Sequence, residues 1–207
     1  DMSFTANGTT YSHETVVSKV EAGNKAQNSS GDASWLTQAE MDEIIAKAKE
    51  LGIEIVPLLN LPGHANAILD IADDAYNASG SNNTLNVAGG ADTAAANFGY
   101  ALFTKYVDYF AGKDCKFFNF GADEYGQGIR NPYIESSVAK VTYNQLINYM
   151  NDCADVIEGQ SMVARCFNDF VCYNKRTTCN LYKTVQVCYW SNQWNGSEYN
   201  TVTAIKN

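Results

Sequence analysis

Charge is scarce in this sequence: Asp, Glu, Lys and Arg together make up 18% of 207 residues, against 45% apolar residues. A disordered chain needs the reverse balance, because only high charge and few apolar groups keep it from burying a core. Proline is rarer still, at 3, and the 15 glycines follow no period, which excludes collagen-like and linker-like classes. Basic residues are in deficit, with 14 Lys+Arg against 23 Asp+Glu and a formal charge of -9. A chain with no basic stripe makes a poor partner for nucleic acid or anionic lipid. No uninterrupted apolar run approaches the roughly 18 residues of a membrane helix. A neutral substrate fits this charge best. The length suits one domain, or part of a larger one.

Cysteine is the exception to the scarcity. Six residues (Cys115, Cys153, Cys166, Cys172, Cys179, Cys188) allow fifteen pairings, none sits in a CxxC, and their spacing matches no zinc pattern. Cys172 and Cys179 flank a short polar loop and are the pair expected to bridge. Cys166 and Cys188 fall inside apolar runs and read as small buried residues. Five N-x-S/T sequons (Asn7, Asn28, Asn77, Asn82, Asn195) carry meaning only in a eukaryotic secretory route. Together these features lean toward secretion.

Residues 1–34 are polar, with a weak apolar pattern, and read as a loop-rich start holding one helix. Thr37-Gln38-Ala39-Glu40 is a capping box, after which Met41, Ile44, Ile45, Ala48 and Leu51 recur at helical spacing. Gly52 ends that helix as a left-handed cap would. Ile53-Glu54-Ile55-Val56-Pro57-Leu58-Leu59 predicts a buried strand, with Pro57 at a bulge or strand end. The Gly/Asn/Ser stretch 77–92 predicts a surface loop. Phe98, Leu102, Tyr106 and Tyr109 then mark a helix stopped by Gly112, with a strand over 116–120. Leu146, Ile147, Met150, Cys153, Ala154 and Ile157 mark another, stopped by Gly159, with strands over 161–167 and 184–189. Such alternation of helix and strand builds a parallel α/β sheet.

In parallel α/β folds function collects at the carboxyl ends of the strands. Those ends carry Asn60-Leu61-Pro62-Gly63-His64, Gly121-Ala122-Asp123-Glu124-Tyr125, Asn168-Asp169 and Tyr189-Trp190. Singly, each has a plain structural reading: a helix cap at His64, a solvated turn at Asp123-Glu124, an Asx-turn at Asn168-Asp169, a core Trp190. Four in succession on one rim make a site. A metal centre from His64, Asp123, Glu124 and Asp169 is disfavoured, since the chain holds 2 histidines in all. No metal or cofactor is expected.

The acidic pair is more specific. Glycosidases commonly set two carboxyls about 5–9.5 Å apart across the scissile bond. Adjacent residues of an extended chain point to opposite sides and cannot straddle one bond. If Glu124 protonates the leaving oxygen, Asp123 must address another part of the substrate. A 2-acetamido group answers this: its carbonyl oxygen attacks C1 while a carboxylate orients its N–H.

The segment "GIEIVPLLNLPGHANAIL" resembles glycoside hydrolase family 20, the β-N-acetylhexosaminidases, as does "FFNFGADEYG" with its Asp-Glu pair. "MVARCFNDFVCYN" and "VQVCYWSNQW" are similar to the next two strands of that family, especially in its bacterial surface exo-β-N-acetylglucosaminidase and lacto-N-biosidase types. The resemblance runs over about residues 1–200 in one order. It implies that Asp123 orients the acetamido group, that Glu124 is the general acid/base, that His64 supports the acid and that Trp190 lines the sugar pocket. Asn168, Asp169 and Tyr125 match more weakly, as rim or supporting groups. Asn60 stands where many members carry Asp, which puts in doubt a carboxylate–histidine dyad at that point.

The resemblance also implies a (β/α)₈ barrel of which residues 1–207 form one segment, supplying about the third to sixth strands. The first two and last two strands are then expected from the rest of the polypeptide. The expected protein is a secreted or cell-surface hydrolase removing terminal GlcNAc, GalNAc or an N-acetylated disaccharide from glycans by substrate-assisted catalysis. Its partner is that glycan, with no nucleic acid and no membrane span. A truncated barrel that binds such glycans without turnover is the alternative from a second class. A doubly wound α/β protein with an incidental acidic pair is the third.

Overall fold

Asn7-Gly8 turns the chain back on itself near its start. Asn7 (φ 52°) and Gly8 (φ 78°) both adopt left-handed backbone, the conformation that lets a two-residue loop follow strand twist. Strands β1 (Phe4–Ala6) and β2 (Thr9–Tyr11) therefore pair antiparallel, Phe4 opposite Tyr11. The computed structural model describes residues 1–27, 36–78, 83–90, 92–125, 143–168 and 180–190, with the backbone of two short strands at 193–194 and 197–198. The loop-rich start read from the sequence is thus a hairpin followed by helix α1 (His13–Gln27). Phe4 stacks on Tyr11 with ring centroids 4.9 Å apart, and both rings meet Phe98. The Asn7 amide donates to the Ala94 carbonyl at 2.7 Å, tying the hairpin to the helix that begins there.

Helix α2 (Gln38–Glu50) opens on the capping box its sequence spells out, with Thr37 and Glu40 bonded reciprocally. It closes as a Schellman turn. Gly52 sits at φ 70°, its N–H donates to Lys49 at 3.1 Å, and the Ile53 N–H reaches Ala48 at 2.8 Å. The next segment, 53–61, runs extended and lies parallel to strand β3 (Phe117–Asn119). Leu59 and Leu61 donate to the Asn119 and Phe120 carbonyls, and Asn119 donates to Pro57. Pro57 fits because only its carbonyl faces the neighbour. The expectation of a buried strand fails on its outer residues: Ile53 is 58% exposed and Leu58 51%. Among the described residues this segment is the sheet edge, so part of its apolar surface has no cover.

A short helix, α3 (Asn66–Leu69), follows the extended segment. Gly23 of α1 lies against it so closely that a Cβ there would approach Ala67 Cβ to 3.0 Å. The loop beyond α3 is not the surface loop that its composition suggests. Thr84, Leu85 and Val87 are buried, and the Leu85 N–H donates to the Pro62 carbonyl at 2.8 Å. Two apolar side chains, Leu85 and Val87, decide the matter over the polar residues around them.

Helix α4 (Ala94–Ala111) leads into β3, and helix α5 (Tyr143–Gly159) leads into strand β4 (Val163–Phe167). Strand β5 (Gln186–Cys188) completes a parallel sheet of order β3-β4-β5, with Phe118 opposite Ala164 and Cys166 opposite Val187. Strands β6 (Gln193–Trp194) and β7 (Ser197–Glu198) form a separate antiparallel pair. The core lies between the sheet and α4 and α5. Phe103 and Phe110 meet Phe118 edge-on at 5.3 and 5.9 Å, while Leu146, Met150, Cys153 and Ile157 are fully buried along α5. Among the described residues Cys115, Cys153 and Cys188 are free thiols, and burial pushes the Cys153 thiol up. The Cys172–Cys179 pairing lies outside the described residues. No described helix is long and apolar enough to cross a membrane.

Candidate active site

The site forms where the extended segment 53–61, β3, β4 and β5 end. Parallel pairing puts the four carboxyl ends on one rim, and that rim collects Asn60, His64, Asp123, Glu124, Asn168 and Trp190. Asp169 lies outside the described residues.

Past Asn119 the chain abandons extended geometry. Gly121, Ala122 and Glu124 all take positive φ, at 74°, 61° and 48°. A non-glycine residue in this region costs on the order of 1–3 kcal/mol and persists only where surroundings enforce it. Side chains supply the enforcement. The Asn119 Oδ1 accepts the Gly121 N–H at 2.8 Å, and the Asn60 Oδ1 accepts the Ala122 N–H at 3.1 Å. This corrects the sequence reading of an extended Asp-Glu pair with side chains on opposite faces. The turn swings both carboxylates to the same cleft.

His64 stands between them. Its own backbone is left-handed, at φ 51°, and its Nε2 lies 3.3 Å from Glu124 Oε2 and 3.6 Å from Asp123 Oδ2. Pro62-Gly63 allows the approach, since a Cβ on Gly63 would come within 3.1 Å of the Asp123 carbonyl. The second Asp123 oxygen, Oδ1, accepts the Asn60 amide N–H at 2.5 Å. The Asp123 and Glu124 side chains are 18% and 24% exposed, half-sheltered yet open to a ligand.

His64, Asp123, Glu124, Phe167 and Trp190 line one open cleft of about 440 Å³. Trp190 is 44% exposed, so it presents its ring as a wall. Its backbone N–H is held at 2.9 Å by the Oδ1 of buried Asn168, which makes Asn168 a brace for Trp190. Tyr125 is also a brace: it is fully buried and its hydroxyl donates to the Leu85 carbonyl at 3.2 Å, tying the acidic turn to the loop over 83–90. Two residues escaped the sequence reading. Phe167 ends β4 and faces the cleft, and its place one residue before Asn168 is the signal that was there to read. Asn119 holds the turn through its side chain, but inside a short apolar strand nothing in the sequence distinguishes it.

His64, Asp123 and Glu124 place one ligand-type atom each within 4.8 Å of one another, a spacing that a cation can also use. The same spacing equally lets one imidazole pair with both carboxylates, at 3.3 Å from Glu124 and 3.6 Å from Asp123.

The turn makes a testable demand on Gly121. A Cβ there would overlap the Asn60 amide, lying 2.5 Å from its Cγ, on backbone that already favours glycine. Gly121→Ala is expected to destabilise the chain by about 1–3 kcal/mol, read as a lower denaturant midpoint. An unchanged midpoint would mean that the turn relaxes freely.

The profile of glycosyl hydrolase family 20, catalytic domain, matches residues 2–205. Among solved structures, a chain holding a catalytic module of the pneumococcal exo-β-D-N-acetylglucosaminidase StrH superimposes with a TM-score of 0.81 at 30% identity, over 100% of this chain and 50% of that one. Dispersin B shares the fold, with a TM-score of 0.59 at 22% identity over 81% of this chain and 46% of its own. Among curated proteins, lacto-N-biosidase from Bifidobacterium bifidum is 25% identical over 170 residues, covering 76% of this chain and 15% of the relative. The chain thus spans about half the length of the StrH chain and a smaller part of the lacto-N-biosidase.

Proposed function

The chain belongs to glycosyl hydrolase family 20, and on that premise we propose that it carries the catalytic carboxylates of a retaining β-N-acetylhexosaminidase. The substrate is a glycan ending in GlcNAc, GalNAc or an N-acetylated disaccharide. One observation carries the reading: Asp123 and Glu124 meet at one imidazole, in one cleft, beside an exposed tryptophan. Two carboxylates on the same side of a cleft cannot flank a glycosidic bond from opposite faces, as attack by one and protonation by the other would require. The nucleophile then comes from the substrate.

In the first step the acetamido carbonyl oxygen attacks C1. The bond from C1 to the leaving oxygen breaks, and Glu124 gives that oxygen its proton. Asp123 accepts the acetamido N–H, which aims the carbonyl at C1, and its charge offsets the positive oxazolinium that forms. In the second step Glu124 takes a proton from water as the water attacks C1. The ring opens, the acetamido group is restored and Glu124 is protonated again. His64, within reach of both carboxylates, keeps them oriented. Trp190 and Phe167 offer aromatic walls to the apolar faces of a pyranose ring.

The same reading makes the parallel sheet a segment of a (β/α)₈ barrel, about its third to sixth strands, with flanking polypeptide supplying the others. StrH is described as acting in N-glycan recognition and hydrolysis. A comparable glycan substrate supports a location outside the cell or at its surface.

Two displacements at C1 leave its configuration unchanged. Proton NMR of the reaction on an aryl β-N-acetylglucosaminide is expected to show the β-anomer of the free sugar first. The α-anomer appearing first would mean a single inverting attack by water, and would overturn the mechanism.

A further inference from the structure

Asn60 is engaged at both ends of its amide. Its Oδ1 accepts the Ala122 N–H at 3.1 Å, and its Nδ2 lies 2.5 Å from Asp123 Oδ1. The orientation is not interchangeable. A backbone N–H only donates, so the amide oxygen must face Ala122, and the amide nitrogen is then the end that faces Asp123. Gly121 keeps the space open, because any side chain at that position would collide with this amide. The contact therefore spans two elements, the extended segment 53–61 and the turn after β3, and it is built from both sides.

We infer that Asn60 is a positioning residue that holds Asp123 as a hydrogen-bond acceptor, with Oδ1 fixed by the amide and Oδ2 directed to His64 and the cleft. The inference rests on the hydrolase reading, and assigns this side chain a task in it. Asp123 must accept the acetamido N–H, and a donor on Oδ1 favours that accepting form. An amide supplies a donor without adding charge. A carboxylate in its place would repel Asp123 unless the two shared a proton, as close carboxylates do. Among the described residues the titratable groups facing Asp123 are His64, at 3.6 Å, and its neighbour Glu124.

Asn60→Asp isolates this task. It keeps an oxygen for the Ala122 N–H and changes only the end that faces Asp123. In the full chain, with an aryl β-N-acetylglucosaminide as substrate, kcat at neutral pH is expected to fall about 10- to 100-fold, with KM within about threefold. The loss should shrink as pH falls, because a proton shared between the introduced carboxylate and Asp123 restores a donor. A profile parallel to that of the unmodified chain would overturn the inference. A double-mutant cycle covers the case in which Asn60→Asp fails to fold. Asn60→Ala should cost about 10- to 100-fold alone, and within about threefold when Asp123 is already replaced by asparagine. Additive losses would mean that Asn60 acts elsewhere. If the unmodified chain turns over no N-acetylglucosaminide, the hydrolase reading fails, and the ¹³C carboxyl resonance of Asp123, assigned through Asp123→Asn, decides separately. At neutral pH it should shift in Asn60→Ala, where the amide donor to Oδ1 is lost. An unchanged resonance would contradict the hold.

Discussion

Glu124→Gln is expected to lower kcat/KM by about 10²–10⁴-fold on glycans and alkyl N-acetylglucosaminides, the usual range for removing a general acid. On aryl substrates with activated leaving groups the loss should be far smaller, because those oxygens depart without a proton. Asp123→Asn should behave differently. Ring closure by the acetamido group precedes departure of any leaving group, so the loss should be similar on both kinds of substrate. The structure lends this contrast its force. Both carboxylates lie within reach of the same imidazole, so a shared structural defect would depress both variants in the same manner. A dependence on the leaving group confined to Glu124→Gln cannot come from general damage. The opposite pattern, with Asp123→Asn rescued by a better leaving group, would exchange the two roles. Insensitivity of both variants would return the pair to a solvated acidic turn.

Much of the scaffold was legible because its signals are local. The capping box at Thr37 and the glycine at 52 act through bonds within a few residues, and the structure shows both. Helices α4 and α5 were legible through their apolar spacing, and the strands after them through short apolar runs. What the sequence hid depends on partners far along the chain. Whether 53–59 is buried is set by what lies beyond Leu58, which periodicity does not encode. The fate of 83–90 turns on Leu85 and Val87 reaching the core. The hairpin was a different kind of miss: alternating residues around Asn7-Gly8 carry the strongest short hairpin signal there is, and the polar composition of the region concealed it.

The strand ends were legible in the sequence, and the structure brings His64, Asp123, Glu124 and Trp190 from them to one cleft while Tyr125 is buried beneath it. Its internal geometry was not legible. Left-handed backbone at Ala122 and Glu124 has no signature in those residue types, since alanine and glutamate rarely adopt it. The side chains of Asn60 and Asn119, brought in from the neighbouring segment and from β3, hold the turn. For the same reason Asn60 looked from the sequence like a lost charge beside His64. In the fold it is the donor to Asp123.

The central claim is that the substrate supplies its own nucleophile, and one comparison tests it most directly. The full chain should be assayed on an aryl β-N-acetylglucosaminide and on the aryl β-glucoside that differs only in bearing a hydroxyl at C2. An intramolecular nucleophile held in place is worth several powers of ten, so kcat/KM should favour the N-acetylated substrate by about 10³-fold or more. The trifluoroacetamido analogue, whose carbonyl oxygen is a poorer nucleophile of similar size, should fall well below the acetamido substrate. Turnover of the glucoside at a comparable rate would mean that a protein carboxylate attacks C1, and would contradict the account.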